Sequence, residues 1–314
     1  MTQKQHSHTQ RENDLLRSSA FERVEPYLYL LPFFLGVAVF TLYPVVNVVL
    51  MSFKQDYSML TRGFSSWGIG NYAKTFADKN FWQAITNTLK YVLLVVPISL
   101  ALALIIANLL NQKLRGSALF QSVYFLPMVT SVTAVGLAWK FMFNNRGVIN
   151  YMLGLFGVKA IPWLRSAQGG AWNMWALVIF GIWNILPFTI ILLLSGLQNI
   201  DPQYRTAARV DAASSLRIFF RITVPLLAPT IFLVCIVNTI SCFKVFSELY
   251  PLFGGSPGAV GNLYTVVYYI RTSMMTYQDY GVASAAAIIL FLFIFAFTMM
   301  QQAVRKIIER RGGK

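Results

Sequence analysis

Residues 201–229 read DPQYRTAARVDAASSLRIFFRITVPLLAP, a polar and basic stretch between two long apolar runs. Asp201 followed by Pro202 predicts the N-cap and the first residue of a short helix. Either Ser214 or Ser215 could cap a second helix. The stretch carries four arginines and two pairs of alanines, namely Arg205, Arg209, Arg217, Arg221, Ala207-Ala208 and Ala212-Ala213. Because a small-residue face lets another surface approach closely, we expect a docking element here.

The composition of the whole chain is that of an integral membrane protein. Of its 314 residues 56% are hydrophobic and only 12% are charged, whereas soluble domains carry about 25% charged residues. The mean hydropathy is +0.57. A net charge of +15 would favour nucleic acid as the partner of a soluble protein. Here the basic residues concentrate in predicted loops and tails, as at the cytoplasmic face of membrane proteins. We therefore expect membrane lipid, and no nucleic acid, as a partner.

Six apolar runs are long enough to cross a bilayer as helices, which takes about 20 residues each. They lie near 27–50, 84–109, 118–142, 172–197, 225–247 and 280–303. Pro225 and Pro229 would mark where the chain re-enters the bilayer after the basic stretch. The sequence predicts an all-α polytopic membrane protein with a polar tail over 1–26, a transmembrane domain over 27–303 and a basic tail over 304–314.

The distribution of Lys and Arg predicts the orientation. If both termini are cytosolic, the inner segments are 1–26, 110–117, 198–224 and 304–314. They hold 15 basic residues in 72 positions, whereas the outer segments hold 8 in 94. This bias predicts six spans with both termini inside, and it places the basic stretch in the cytosol. The N-terminal tail has no apolar core of signal-peptide type, so we expect a cytosolic tail and not a cleaved leader.

The sequence contains no recognisable catalytic constellation. Both histidines, His6 and His8, lie in the N-terminal tail, and there is no HExxH, GxSxG or GxxxxGK[ST] motif. We therefore predict no catalytic residue, no metal site and no cofactor. None of the eleven acidic residues lies deep in a predicted span, which disfavours a proton- or sodium-coupled carrier. If the chain transports a solute actively, a partner must supply the energy.

The basic stretch resembles the "EAA" loop of permease subunits in binding-protein-dependent ABC importers. That loop reads EAA-x-x-DGA and then F-x-x-I-x-x-P, and the matching positions are Thr206-Ala207-Ala208, Asp211-Ala212-Ala213, Phe219, Ile222 and Pro225. The resemblance extends along nearly the whole chain beyond the tail, through Tyr43-Pro44, Ser52-Phe53, Gly70-Asn71-Tyr72, Asn87-Thr88 and Gly254-Gly255 with Pro257. The chain looks like the maltose-permease-like sugar branch, and like the subunit whose chain begins with an extra helix before a shared five-span core.

This resemblance implies a type I ABC-importer permease core with a cytosolic coupling helix, here in the coupling segment 201–224. The implied partners are a second homologous permease, two ATPase subunits that bind the ATP, and an extracellular or periplasmic binding protein. The implied location is a bacterial cell membrane. The residues expected to contact an ATPase are Arg205, Thr206, Ala207, Ala208, Arg209, Asp211, Ala212 and Ala213.

Two positions depart from the family pattern. Thr206 stands where the family has a glutamate that is expected to contact a basic residue of the ATPase, so Arg205 or Arg209 could make a different contact. Ala212 stands where the family has a glycine. Because alanine disfavours left-handed backbone, we expect the break between the two short helices to use ordinary angles or to move.

Polar residues inside spans are costly, so those of the fourth and fifth spans point to a substrate path. In the maltose permease, residues of these two helices hold the sugar. The matching and neighbouring positions are Trp183, Asn184, Phe188, Asn238, Ser241 and Cys242. Amides such as Asn184 and Asn238 would bind sugar hydroxyls, and Trp183 or Phe188 would offer an aromatic face. Alternatively, these polar groups bond between helices as packing contacts worth about 0.6 kcal/mol each.

The resemblance therefore implies one half of an ATP-driven translocation path for a sugar or oligosaccharide. A glycerol-phosphate-type permease is a weaker alternative, because a phosphate needs a cationic wall and the middle of each predicted span lacks basic residues. A secondary carrier would transport without an ATPase. An intramembrane enzyme would need a reactive residue within a span.

Overall fold

A computed structural model describes residues 25–59, 61, 63–112, 128–164, 166–258 and 261–312, which are mainly α-helical. The helices are α1 (Glu25–Phe53), α2 (Gly70–Ala77), α3 (Lys79–Leu110), α4 (Val132–Met142), α5 (Val148–Leu155), α6 (Ser166–Gln198), α7 (Pro202–Val210), α8 (Ser215–Phe243), α9 (Leu249–Phe253), α10 (Val266–Met275) and α11 (Tyr280–Gly312). Two short strands, β1 (Lys54–Gln55) and β2 (Ser66–Trp67), pair antiparallel between α1 and α2.

Five helices in the described ranges are long and apolar enough to cross a membrane. They are α1, α3, α8, residues Trp172–Gln198 of α6 and residues Tyr280–Ile308 of α11. These helices confirm five of the six predicted spans. The sixth prediction, 118–142, begins among residues outside the described ranges, and its described part contains the shorter apolar helix α4. Almost all of the predicted tail 1–26 lies outside the described ranges. Helix α11 continues into the predicted basic tail 304–314.

Prolines in α1 and α8 follow short π-helical segments. The segment Ala38–Leu42 precedes Pro44, and the segment Phe219–Thr223 precedes Pro225. Proline has no N–H to donate and its ring clashes with the carbonyl four residues earlier, which here falls within each π-helical segment. The wider turn removes this conflict locally, so each helix continues through its proline.

The fifth predicted span, 225–247, is displaced along the chain. Helix α8 already begins at Ser215, and it ends at Phe243. Pro225 and Pro229 both lie within this helix. The helix predicted to start at a Ser214 or Ser215 cap and the span predicted from Pro225 are therefore one continuous helix, because the preceding π-helical turn accommodates the first proline. Within the predicted coupling segment 201–224, the break between the two helices ends at Ser214.

Helix α6 is the central helix of the described structure. In its most apolar stretch of 18 residues, half of the residues are buried. The buried share of the corresponding stretch is 39% in α11, 33% in α3 and α8, and 0% in α1. It packs on α3 and α8, whereas α1 lies at the edge against α11. The contact with α8 is close at Gly196, where an added Cβ would lie 2.7 Å from Leu227 Cδ1 and from Thr230 Oγ1. Helices α3, α6 and α8 therefore pack together as one group.

Two polar side chains of α3 hold the chain that leads into α10. Asn87 Nδ2 donates hydrogen bonds to the carbonyl oxygens of Gly261 and Tyr264, at 2.9 and 3.1 Å. The hydroxyl of Thr88 accepts a hydrogen bond from Val266 N at 3.0 Å. The Asn87-Thr88 motif of the sequence therefore satisfies buried backbone groups of a distant loop.

Candidate functional site

The coupling segment begins as its sequence predicts. The carboxylate of Asp201 accepts a hydrogen bond from Gln203 N at 2.8 Å, and Pro202 is the first residue of α7. At the next helix start, the hydroxyl of Ser214 accepts a hydrogen bond from Arg217 N at 3.4 Å, so Ser214 is the cap and Ser215 the first residue of α8. These side chains satisfy backbone N–H groups that lack a partner within the helix. Both predicted caps are confirmed.

The break between α7 and α8 contains a left-handed residue, Ala212, with φ of 57°. Ala213 N donates to Ala208 O at 3.0 Å, and Ala212 N donates to Arg209 O at 3.1 Å. These two bonds define a Schellman motif, whose residue after the C-cap is left-handed and usually glycine. Our expectation that alanine would impose ordinary angles or move the break is therefore wrong. The helix-ending hydrogen bonds hold Ala212 in a conformation that costs a non-glycine residue about 1–2 kcal/mol.

Replacing Ala212 by glycine should raise the free energy of unfolding by about 0.5–1 kcal/mol, because glycine adopts this backbone without the steric cost. Thermal or denaturant unfolding of the purified protein in detergent measures the change. The matched control is Ala213→Gly: the φ of Ala213 is not positive, so glycine there should lower stability. If both variants shift stability in the same direction by the same amount, Ala212 is not strained.

The two alanines of the predicted docking face point in different directions. Ala208 is buried, with 7% of its surface exposed, whereas Ala207 is exposed. Thr206 is exposed as well, and Val210 has 82% of its surface exposed. Since residues three and four apart share a helix face, Thr206, Ala207 and Val210 form one surface, which we call the outer face of α7. Ala208 packs within the chain and is closed to a partner in this conformation.

The polar groups of Arg205 and Thr206 are used within the chain. When the Asn111 amide is oriented with its oxygen towards Arg205, that oxygen accepts two hydrogen bonds from the guanidinium, at 3.0 and 3.1 Å. The hydroxyl of Thr206 donates to Pro202 O at 3.1 Å. Arg209 is exposed and forms no ion pair with a described residue, so it is free to meet a partner. Among the other predicted coupling residues, the exposed ones are Asp211 and Ala212, and the half-buried one is Ala213.

Asn238, predicted to line a substrate path, lies between helices. Its side chain is 2% exposed, and its Nδ2 donates to Thr189 Oγ1 of α6 at 2.9 Å. The Thr189 hydroxyl in turn donates to Ile185 O at 2.9 Å. This is the interhelical contact that the packing alternative describes. In this conformation Asn238 joins α8 to α6 and is closed to a ligand.

Trp183 and Cys242 also contribute to packing. The Trp183 ring centroid lies 5.5 Å from that of Trp139 in α4 and 6.2 Å from that of Phe180, on which it stacks. These aromatic contacts hold α4 against α6. Cys242 is 2% exposed in the apolar core, and it is a free thiol, as is Cys235.

The accessible members of the predicted path are Asn184, Phe188 and Ser241. Asn184 and Phe188 are four residues apart on α6 and share a face, which we call the α6 face. Phe188 is 39% exposed and Asn184 is half-buried. The Asn184 amide has no hydrogen-bond partner within the described part of the chain. Ser241 is exposed on α8. An unpaired amide beside an aromatic ring can bind a hydroxylated ligand.

Sequence reasoning missed three residues that tie the helices together. Thr189 accepts the hydrogen bond from Asn238, and Asn111 accepts the hydrogen bonds from Arg205. Gln301 Nε2 donates to Thr239 Oγ1 at 2.8 Å, which joins α11 to α8. Thr189 and Gln301 could have been noticed as polar residues inside apolar runs, where an unpaired group is costly. Asn111 gives no such signal because it lies just beyond the end of α3.

The described residues contain no cluster of three or more His, Cys, Asp or Glu that could hold a metal ion. A partly buried carboxyl, that of Glu248, lies just beyond the end of α8. Burial raises its pKa, and it accepts a hydrogen bond from Phe246 N at 3.3 Å.

The fold and the coupling segment define a multi-pass, α-helical membrane protein that presents a capped helix between two spans. The family described as "Binding-protein-dependent transport system inner membrane component" matches residues 79–310. The chain belongs to this family of transport permeases. The match begins at the first residue of α3, so α1 and α2 lie before the part that the family shares.

Similar proteins cover almost the whole chain. The arabinooligosaccharides transport system permease protein AraP of Halalkalibacterium halodurans is 30% identical over 94% of this chain and 92% of its own length. The trehalose/maltose transport system permease protein MalF of Thermococcus litoralis is 30% identical over 87% and 91%. A solved structure has the same fold with a TM-score of 0.78 and 22% identity, covering 92% of this chain and 97% of the other. It is a bacterial ABC transporter involved in the import of the acidic polysaccharide alginate.

Proposed function

We propose that the chain forms one half of the translocation path of an ATP-driven importer for a sugar or oligosaccharide. A second, homologous permease forms the other half, two ATPase subunits bind ATP in the cytosol, and an external binding protein delivers the substrate. The observation that carries this proposal is the outer face of α7, a capped helix with exposed Thr206, Ala207 and Val210 between two membrane-spanning helices.

Motion of α7 can be passed to three helices. The chain connects it to the end of α6 at Gln198 and to the start of α8 at Ser215, and the bond between Arg205 and Asn111 links it to the end of α3. Closure of the two ATPase subunits on ATP would displace α7 and so re-orient these helices. The affinity for the ligand then differs between inward- and outward-facing states, and ATP shifts the population between them.

A sugar is the substrate class that we propose. Two similar permeases are named for arabinooligosaccharides and for trehalose and maltose, which are carbohydrates. The α6 face offers the matching chemistry, since the unpaired amide of Asn184 can bind hydroxyl groups and the exposed ring of Phe188 can pack on a sugar ring. Ser241 offers a further exposed hydroxyl group on α8. Trp183, Asn238 and Cys242 support it from within the helix packing.

We propose that both termini lie in the cytosol of a bacterial cell. The excess of Lys and Arg in the predicted inner segments supports this orientation. With α1, α3, the predicted span 118–142 and α6 all crossing the membrane, α7 lies on the same side as the N-terminus, where an ATPase would be.

Two other classes remain as outcomes of a test. A glycerol-phosphate-type permease would use the same partners with a phosphorylated substrate. A secondary carrier would need no ATPase, and an acid deep in a span would be its expected relay. Glu248 lies beyond the end of α8 and does not meet that description.

Reconstitution in proteoliposomes tests the proposed function. The complex that co-purifies with the chain is compared with the chain alone, and uptake of labelled sugars is followed with and without enclosed ATP. We expect ATP-dependent uptake by the complex only, and none when its ATPase is inactivated. Uptake by the chain alone under a proton or sodium gradient would show a secondary carrier, and a preference for glycerol phosphate over sugars would replace the substrate class.

A further inference from the structure

A cavity of about 460 Å³ lies where the end of α3, helix α7 and the start of α8 meet. Two arginines, Arg205 and Arg209, line it together with polar side chains from the neighbouring helices. Neither arginine forms an ion pair with a described acidic residue, and the carboxylate of nearby Asp201 caps α7 instead. The cavity therefore carries positive charge that no described carboxylate balances.

Two polar groups in this cavity lack a partner within the described part of the chain. Thr223 is 2% exposed and lines the cavity, but its hydroxyl forms no hydrogen bond there. The amide of Asn108, also in the lining, is unpaired as well. Both groups are available to a ligand in the cavity.

We propose that this cavity binds a phosphate group at the end of the permease that carries α7. A phosphate offers several acceptor oxygens to donors arranged around it, and the planar guanidinium of arginine suits it through paired hydrogen bonds. The donors here are Arg205, Arg209, the Thr223 hydroxyl and the amide of Asn108. The amide of Asn111 fixes one of the guanidinium groups in place.

A membrane phospholipid is one source of this phosphate, and free phosphate is the other. The cavity lies at the end of α3, a helix long and apolar enough to span a membrane, so lipid headgroups are expected near it. Exposed apolar side chains run along α3 towards it: Leu102, Ile105 and Leu109 are 41%, 55% and 48% exposed. These residues recur at helical spacing on one side of α3. Acyl chains could lie along this stripe while an anionic headgroup occupies the cavity.

Lipid binding by the full-length permease, in the complex that it forms, is the test. The protein is placed in nanodiscs of phosphatidylcholine with graded amounts of phosphatidylglycerol, and the midpoint of thermal unfolding is recorded, since a ligand that binds only the folded state raises it. A second arm adds inorganic phosphate to nanodiscs of phosphatidylcholine alone. A midpoint that rises in the first arm only identifies the lipid, and a rise in the second arm identifies free phosphate.

Variants of the lining separate the cavity from general attraction of a basic protein to anionic lipid. Arg205→Gln and Thr223→Val should each weaken the apparent affinity about tenfold, because each removes a hydrogen bond to a charged ligand. Should Thr223→Val fail to fold, Asn108→Leu takes its place. The control is Arg221→Gln, an exposed arginine of α8 outside the lining, which should bind as the wild type does.

Two results would overturn the proposal. Equal weakening in Arg221→Gln and in the lining variants would mean that the lipid response comes from net charge. If neither arm shifts the midpoint, and Arg205→Gln instead lowers retention of the ATPase, the cavity receives an acidic side chain of that partner and not a phosphate.

Discussion

Uptake driven by ATP should fall about thirtyfold or more when Ala207 is replaced by tryptophan, while the permease stays folded in the membrane. Ala207 lies on the outer face of α7, exposed beside Thr206 and Val210. A docked partner would have to approach closely over this small residue, and a bulky ring would hold the two surfaces apart. Loss of a central interface contact costs about 2 kcal/mol or more, which corresponds to that factor. Assays of uptake and of ATP hydrolysis on the same reconstituted complex measure the effect.

The matched control is Ala208→Trp. Ala208 is next in the chain but is buried within the permease, with 7% exposure. A large side chain there should lower expression and thermal stability, because overpacking a filled site costs about 1–3 kcal/mol. Ala207→Trp should leave both unchanged. Full uptake by Ala207→Trp would mean that the outer face of α7 does not dock.

Replacing Asn184 by leucine should lower sugar uptake about tenfold or change the preference among sugars, with little effect on assembly. The amide is half-buried, has no partner in the described structure and shares a face with exposed Phe188. It can therefore bind a ligand without first breaking an internal contact. Lost hydrogen bonds to the substrate, at about 0.5–1.5 kcal/mol each, account for this magnitude. Uptake of several sugars is measured beside the amount of assembled complex.

Asn238→Leu should behave differently from Asn184→Leu. It removes the hydrogen bond that joins α8 to Thr189 of α6. We expect less assembled complex and lower thermal stability by about 1 kcal/mol, with unchanged sugar preference in what survives. If the reverse holds, so that Asn238→Leu changes preference and Asn184→Leu only lowers assembly, the assignment of the path to the α6 face is wrong.

Features that depend on neighbouring residues could be predicted from the sequence. Asp201 and Ser214 cap helices because the acceptor lies two or three residues from the N–H that it satisfies. The five confirmed spans follow from length and hydropathy alone, and both can be read from one continuous stretch of about 20 residues. Pro225 lies within α8 and not at its start, and the helix continues through it because the preceding turn is π-helical.

Features that depend on distant residues could not be predicted. The direction of Ala208 follows from how α7 lies against the rest of the chain, and the partner of Asn238 is 49 residues away in sequence. Ala208 has the small size expected at a docking surface, and Asn238 has the polarity expected at a binding site. Residue type alone therefore did not distinguish these roles from a packing role. The left-handed Ala212 shows the same limit, since a local preference yields to the hydrogen bonds that end α7.

Cross-linking from position 207 tests most directly whether α7 couples the permease to an ATPase. Ala207→Cys is introduced with Cys235 and Cys242 replaced by alanine, so that the introduced cysteine is the sole thiol. A bifunctional reagent is then added to inside-out membranes with and without ATP. We predict a cross-link to the co-purifying ATPase whose yield changes with nucleotide, and no labelling by an impermeant thiol reagent in intact cells. Labelling of the introduced cysteine from outside intact cells, with no cross-link to the ATPase, would contradict both the orientation and the coupling role of α7.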